Sequence, residues 1–135
     1  MSNKTTTIVS WSLRIIAAII LLQTLFFKFS AHPESVALFT KLGVEPWGRI
    51  ATGIIELITA ILLILPATKA FGALSATGVM LGAIASHIFV VGIESNSDGG
   101  QLFYMAILVL VCSLIVLWMH RSELLIYYRR ITGNN

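Results

Sequence analysis

Apolar residues dominate this chain in four long runs, broken by short polar punctuation, and the runs contain lone polar residues where a lipid-facing helix would have none. The runs cover about Ser10 to Phe29, Trp47 to Leu65, Ala70 to Val91 and Gln101 to Met119. Each is near the roughly 20 residues that span about 30 Å of hydrocarbon as a helix. Residues 70–93 and 99–120 carry no Asp, Glu, Lys or Arg at all. The pattern predicts an all-α protein, an integral membrane four-helix bundle.

The punctuation predicts the connections. "PATK" between the second and third runs is so short that those two helices must be antiparallel neighbours. The first connection is longer. Pro33 stands at a helix start and Gly43 at a helix stop around the amphipathic "ESVALFTKLG", which predicts a short surface helix between spans 1 and 2. Pro46 suits the first turn of the second span, with Trp47 at headgroup level. Asp98-Gly99-Gly100 is turn chemistry, and the tail from 120 to 135, with "HRSELLIYYRR", is a basic amphipathic stretch suited to anionic lipid. Gly78, Gly82 and Ser86 recur every four residues, a small-residue stripe expected to let a neighbouring backbone approach; Gly72 and Gly53 could serve likewise.

Composition agrees with a membrane class: 57% hydrophobic and 11% charged residues among 135, one domain over residues 1–135. The net charge of +3 does not suggest nucleic acid, because the basic residues are scattered. They work as topology signals. Lys4, Arg14, Lys69, Arg121, Arg129 and Arg130 fall on one side and Lys28, Lys41 and Arg49 on the other, which predicts both termini cytoplasmic in a bacterial inner membrane. The segment "KFSAHP" after the first apolar run lacks the small-residue pattern of a signal cleavage site, so the first span is expected to stay.

Glu56 carries the functional signal, because it lies near the centre of "RIATGIIELITAILLILP" and a carboxylate facing hydrocarbon costs several kcal/mol. A protected polar interior is expected around it. Arg14 and Lys28 are fourteen residues apart, hence only about 40° apart around the first helix, so one face presents both cations. Glu56 is expected to pair with Arg14, or with Lys28 through Gln23 or water. His87 completes a candidate polar pocket of Glu56, His87, Arg14, Lys28 and Gln23, as a proton carrier, ligand contact or packing histidine. Structural roles compete throughout: Arg14 and Lys28 could snorkel to headgroups, and Glu56 could fix helix register in a buried ion pair.

Other chemistries find no support in the residues. His87 and His120 fall near opposite membrane faces, so a bis-histidine haem within one subunit is not indicated; His32 could lie near His87 in height, but it precedes Pro33 in a surface segment, and two histidines without cysteine or carboxylate spacing make a weak metal signal. Phosphate loops, nucleophile elbows and zinc-protease helices are missing. Aromatic residues such as Phe26, Phe27, Trp47, Phe89, Phe103 and Tyr104 cluster at the outer ends of the spans, as an aromatic belt or the wall of a quinone or lipid pocket.

With Arg14 and Lys28 on the first span, "TGIIELITAILLILP" on the second and "GVMLGAIASH" on the third, the chain resembles the DoxX family of small bacterial membrane proteins, from about Leu13 to Arg121. The Gly53-x-x-Glu56-Leu57 motif ahead of Pro66, with Ala83 and His87 on the next helix, carries most of the likeness. Family members often have glycine three residues before the lysine that ends the first span; this chain has Leu25. The resemblance implies a four-helix membrane bundle, and some relatives are described as subunits of quinone-linked or thiol-linked oxidoreductase systems. Lone Cys112 offers no dithiol pair, which disfavours the thiol branch. The expectation is a membrane component of a quinone- or redox-linked system with a redox partner subunit, in which Glu56 and His87 handle protons or contact a ligand. Whether it is an enzyme is left open, as is self-association. The alternative is a non-enzymatic assembly or lipid/partner-binding protein; a small transporter is disfavoured by the lack of repeats or broken helices.

Overall fold

The computed structural model describes residues 2–133. Six α-helices follow one another: α1 (Asn3–Phe29), α2 (Pro33–Lys41), α3 (Trp47–Ile64), α4 (Lys69–Ser86), α5 (Gln101–Met119) and α6 (Arg121–Thr132). A 3-10 turn, Pro66–Thr68, leads into α4, and a π-helical turn, His87–Val91, continues it. Four segments are long and apolar enough to cross a membrane: α1, α3, α4 with its flanking turns, and α5. The expected all-α four-span architecture with a short helix between spans 1 and 2 is therefore present.

α1 packs on α3 and α5, and α4 packs on the same two, so the spans form a ring with α1 and α4 across the diagonal. Alanines at the centre, Ala17, Ala18, Ala60, Ala73 and Ala76, are almost completely buried, and their small side chains let the helices close. The large side chains point the other way. Ile19, Ile58 and Leu81 are each more than half exposed, an inside-out distribution that only a hydrocarbon solvent makes favourable.

Local chemistry sets the ends of the elements. Ser2 caps α1 by accepting the Thr5 N–H at 3.2 Å, and the Thr6 and Thr7 hydroxyls donate to carbonyls four residues back, so α1 starts well before the apolar run does. Pro33 opens α2, and Gly43, at φ +78°, provides the left-handed residue after it. Pro66 stops α3 because it has no N–H for the Leu62 carbonyl; the Thr68 hydroxyl bonds that oxygen instead, at 2.9 Å.

The close helix approach falls at a different glycine from the stripe expected to provide it. A Cβ on Gly72 would meet the Leu63 backbone nitrogen at 2.6 Å, whereas Gly78 and Gly82 would meet nothing within 4 Å. The reason is the short Pro66–Thr68 link, which clamps α3 to α4 at that end. Above the Thr59–Ser75 hydroxyl contact of 2.6 Å the helices are free to diverge. Gly53 faces the Phe29 ring of α1, 2.6 Å from where its Cβ would be.

At the opposite end Asp98 organises the 92–100 connection. Its carboxylate accepts the N–H groups of Ser95, Gly100 and Leu102 at 3.1, 2.8 and 3.2 Å, which turns the loop and caps α5. Partial burial pushes the Asp98 pKa up, but those three donors outweigh it and hold the group below its ordinary 3.8. Lys41 donates to the Val91 carbonyl and Asn96 to the Glu34 carbonyl, so α2 is fastened across this end of the bundle.

Candidate functional site

Two arginines fix the register of α1 against α3. Arg14 donates from Nε to the Leu63 carbonyl at 2.5 Å and from Nη2 to the Ile64 carbonyl at 2.9 Å. Arg49 donates from Nη1 to the Lys28 carbonyl and from Nε to both Glu45 oxygens at 2.9 and 3.0 Å. Each arginine thus sits at the C-terminal end of the other helix, where carbonyls lack intrahelical donors and the helix dipole favours a cation. Arg14 is level with Leu63, and Lys28 with Arg49.

That register decides what Glu56 meets. Side chains on a helix lean towards its N-terminus, so Lys28 reaches back along α1 while Glu56 reaches back along antiparallel α3. Their tips converge near Thr24. Lys28 Nζ lies 3.1 Å from Glu56 Oε2, with the two side chains only 13% and 5% exposed. The Thr24 hydroxyl shares its proton between the Leu21 carbonyl at 2.9 Å and Glu56 Oε2 at 3.3 Å. Of the partners the sequence allowed for Glu56, the structure supplies Lys28 directly, without Gln23 between them.

Arg14 is a correction to the expected pocket. It is buried, but its guanidinium serves the end of α3 and stacks on the Trp11 ring at 4.0 Å, and it does not line the cavity beside Glu56. The shared face of Arg14 and Lys28 was legible in the sequence; their separate duties were not. Arg49, Glu45 and Thr24 lay outside the expected pocket, although Thr24 is one turn before Lys28; Glu45 precedes α3, so its ion pair with Arg49 is not a pair along one helix face.

Glu56 and Lys28 stand in the wall of a cavity of about 500 Å³ bounded by α1 to α5. Gln23 and His87 also line it, and Leu38 and Phe39 of α2, with Leu42 just after that helix, cover one end. His87 begins the π-helical turn, a local widening that redirects side chains and recurs at functional sites. Its Nδ1 donates to the Gly92 carbonyl at 2.9 Å, which leaves Nε2 as the second nitrogen; the ring meets Phe103 edge-on. The cavity therefore combines apolar walls with the Lys28 cation, the carboxylates of Glu56, Glu34 and Asp98, several hydroxyls including that of Thr24, the amides of Gln23 and Gln101, and the His87 imidazole. Such a surface can bind an uncharged molecule with hydrogen-bonding groups and exchange protons with it.

Within this geometry the segment from residue 12 to residue 116 matches the model of the DoxX-like family. The chain belongs to the DoxX-like family. The matched segment contains Arg14, Lys28, Glu56 and His87, and ends before α6. No curated protein and no solved structure matches the chain.

A second polar cluster in this DoxX-like protein lies at the other end of the ring. Ser10 Oγ and His120 Nε2 are 2.8 Å apart, and Lys69 pairs with Glu123 of α6 at 2.6 Å. Burial and nearby Lys69 push the His120 pKa below its ordinary 6.5, with Glu123 opposing and Arg14 assisting. Phe71 and Tyr127 meet edge-on and complete the attachment of α6 to α4.

Proposed function

We propose that this DoxX-like membrane protein binds a quinone-class molecule and acts as the membrane component of a redox-linked system, in a bacterial inner membrane with both termini cytoplasmic. The observation that carries the reading is the buried Lys28–Glu56 pair in the wall of an apolar cavity. A volume of about 500 Å³ lies within the roughly 300 to 1,000 Å³ of small-molecule sites. Desolvating both ions costs several kcal/mol each, so a buried pair is a poor device for stability alone.

Glu34 and Asp98 also line the cavity, but Glu34 is exposed on α2 and Asp98 is taken up by three backbone N–H groups, so the buried polar contact is the Lys28–Glu56 pair, which is electrically neutral and favours an uncharged ligand over an ion. Lys28 offers donors to a carbonyl oxygen, Glu56 offers an acceptor to a hydroxyl, and His87 adds a second proton-exchanging group on the same cavity. A bound quinone supplies carbonyl oxygens that take up two electrons and two protons on becoming quinol. The chain's residues would hold the head group, exclude water and carry protons, and a redox partner subunit would supply or remove the electrons.

Gentle purification followed by solvent extraction and quantification of quinone tests this directly. The wild-type protein is expected to carry quinone in stoichiometric amount, and Glu56→Gln to lose most of it while keeping its elution profile. A wild-type protein free of quinone overturns the proposal. Arg14 and Arg49, both engaged at helix ends, favour the second reading, an assembly or lipid-binding protein whose ionic groups only fix packing; unchanged quinone content in Glu56→Gln would support it.

A further inference from the structure

The cavity has a side as well as an end. Its end is covered by α2, which is held there by Lys41 donating to the Val91 carbonyl and by Asn96 of the 92–100 connection donating to the Glu34 carbonyl. Its side, between α3 and α4, is lined by Thr52 and Ile55 facing Gly78 and Gly82. Ile55 is 47% exposed although it lines the cavity, and Gly78 and Gly82 are exposed with no atom within 4 Å of a Cβ. Inner wall and outer surface are the same residues there.

The divergence has a local cause. Gly72 and the Thr59–Ser75 contact hold α3 against α4 near the Pro66 turn, and among the described residues no hydrogen bond or ion pair joins the two from Gly78 onward. Gly78 and Gly82, one turn apart, remove the side chains that would otherwise fill the opening. Both helices are membrane spans, so the gap faces acyl chains rather than water.

We infer that the gap between α3 and α4 is a lateral portal, through which an uncharged amphiphile dissolved in the bilayer enters head first, placing a carbonyl or hydroxyl at Lys28 and Glu56 and leaving its apolar tail lying past Gly78 and Gly82. Three observations converge on this occupant: a neutral hydrogen-bonding pair inside, apolar walls, and an opening onto hydrocarbon. A water-borne ligand would meet α2 and the 92–100 connection. The inference rests on the pocket proposed above, but not on the ligand being a quinone.

The test uses the full-length protein in bilayer nanodiscs doped with an uncharged amphiphile, a long-chain alkanol carrying a diazirine next to its hydroxyl, irradiated and mapped by peptide mass spectrometry. Carboxylates capture the photoproduct well, so Glu56 reports the head group inside the cavity. Wild type is expected to show adducts on Glu56, and Gly82→Leu to lose them while taking up as much probe elsewhere on its lipid-facing surface. Leucine at position 82 fits the helix and meets open space, so the variant folds; Gly82→Ala, too small to close the gap, keeps the Glu56 adduct. Absence of the Glu56 adduct in wild type, or its persistence in Gly82→Leu, overturns the portal. Blocked labelling in a protein free of quinone supports the portal and overturns the quinone reading. Stoichiometric quinone with labelling indifferent to Gly82→Leu does the reverse.

Discussion

A double-mutant cycle separates Arg14 from Lys28 on α1. At 3.1 Å, Lys28 and Glu56 attract by about 5 kcal/mol for an effective dielectric of 20, before desolvation is subtracted. Removing one partner strands the other in an apolar wall, which costs about 3 to 5 kcal/mol, whereas removing both spares that penalty. A coupling energy of about 2 to 3 kcal/mol is therefore expected between Lys28→Met and Glu56→Gln. Arg14 sits level with Leu63, seven residues or about 10 Å along α3 from Glu56, so Arg14→Met and Glu56→Gln should add to within about 0.5 kcal/mol. Arg14→Met alone still destabilises, because it orphans two carbonyls worth about 1 to 3 kcal/mol each. Reversible unfolding in mixed micelles, followed by circular dichroism as denaturing detergent is titrated, measures all three quantities. A coupling to Arg14 larger than that to Lys28 would refute the register on which the site is built.

Three further outcomes follow from the packing and charges. Gly72→Ala should lower thermal stability by about 1 to 3 kcal/mol, because the new Cβ meets Leu63 and Leu62 backbone atoms at 2.6 and 2.8 Å, while Gly78→Ala should be neutral or gain up to about 1 kcal/mol from helix propensity; a thermal-shift comparison in detergent that ranked them the other way would contradict the α3–α4 contact. His120 has a depressed pKa in the fold, so its contribution is complete above the ordinary 6.5 and is lost as pH falls through the lower folded value. Melting temperatures should accordingly drop on acidification from about 6.5 towards the folded value and level off beneath it, and His120→Gln should flatten the dependence. A cysteine placed at Ser97, in the connection that carries Asp98, should react with an impermeant thiol reagent on intact cells; protection would count against the proposed topology.

The sequence by itself determined the number of spans and the surface helix, and marked Glu56 as a group that needs shelter. Those follow from one-dimensional facts: run length against bilayer thickness, proline and glycine at element ends, and the cost of Glu56 in hydrocarbon. The common face of Arg14 and Lys28 was equally legible, since helical geometry fixes azimuth from residue spacing. Which cation reaches Glu56 was not, because it depends on the axial register of α1 against α3: the two cations are fourteen residues, about four turns, apart, and azimuth alone does not say which of them lies at the height of Glu56. Likewise the Gly78 and Gly82 stripe has the same spacing as a packing motif, yet it borders an opening, because the Pro66 turn and Gly72 had already settled where α3 and α4 touch. Pattern along the chain says which groups need shelter; only packing in three dimensions decides which neighbours provide it.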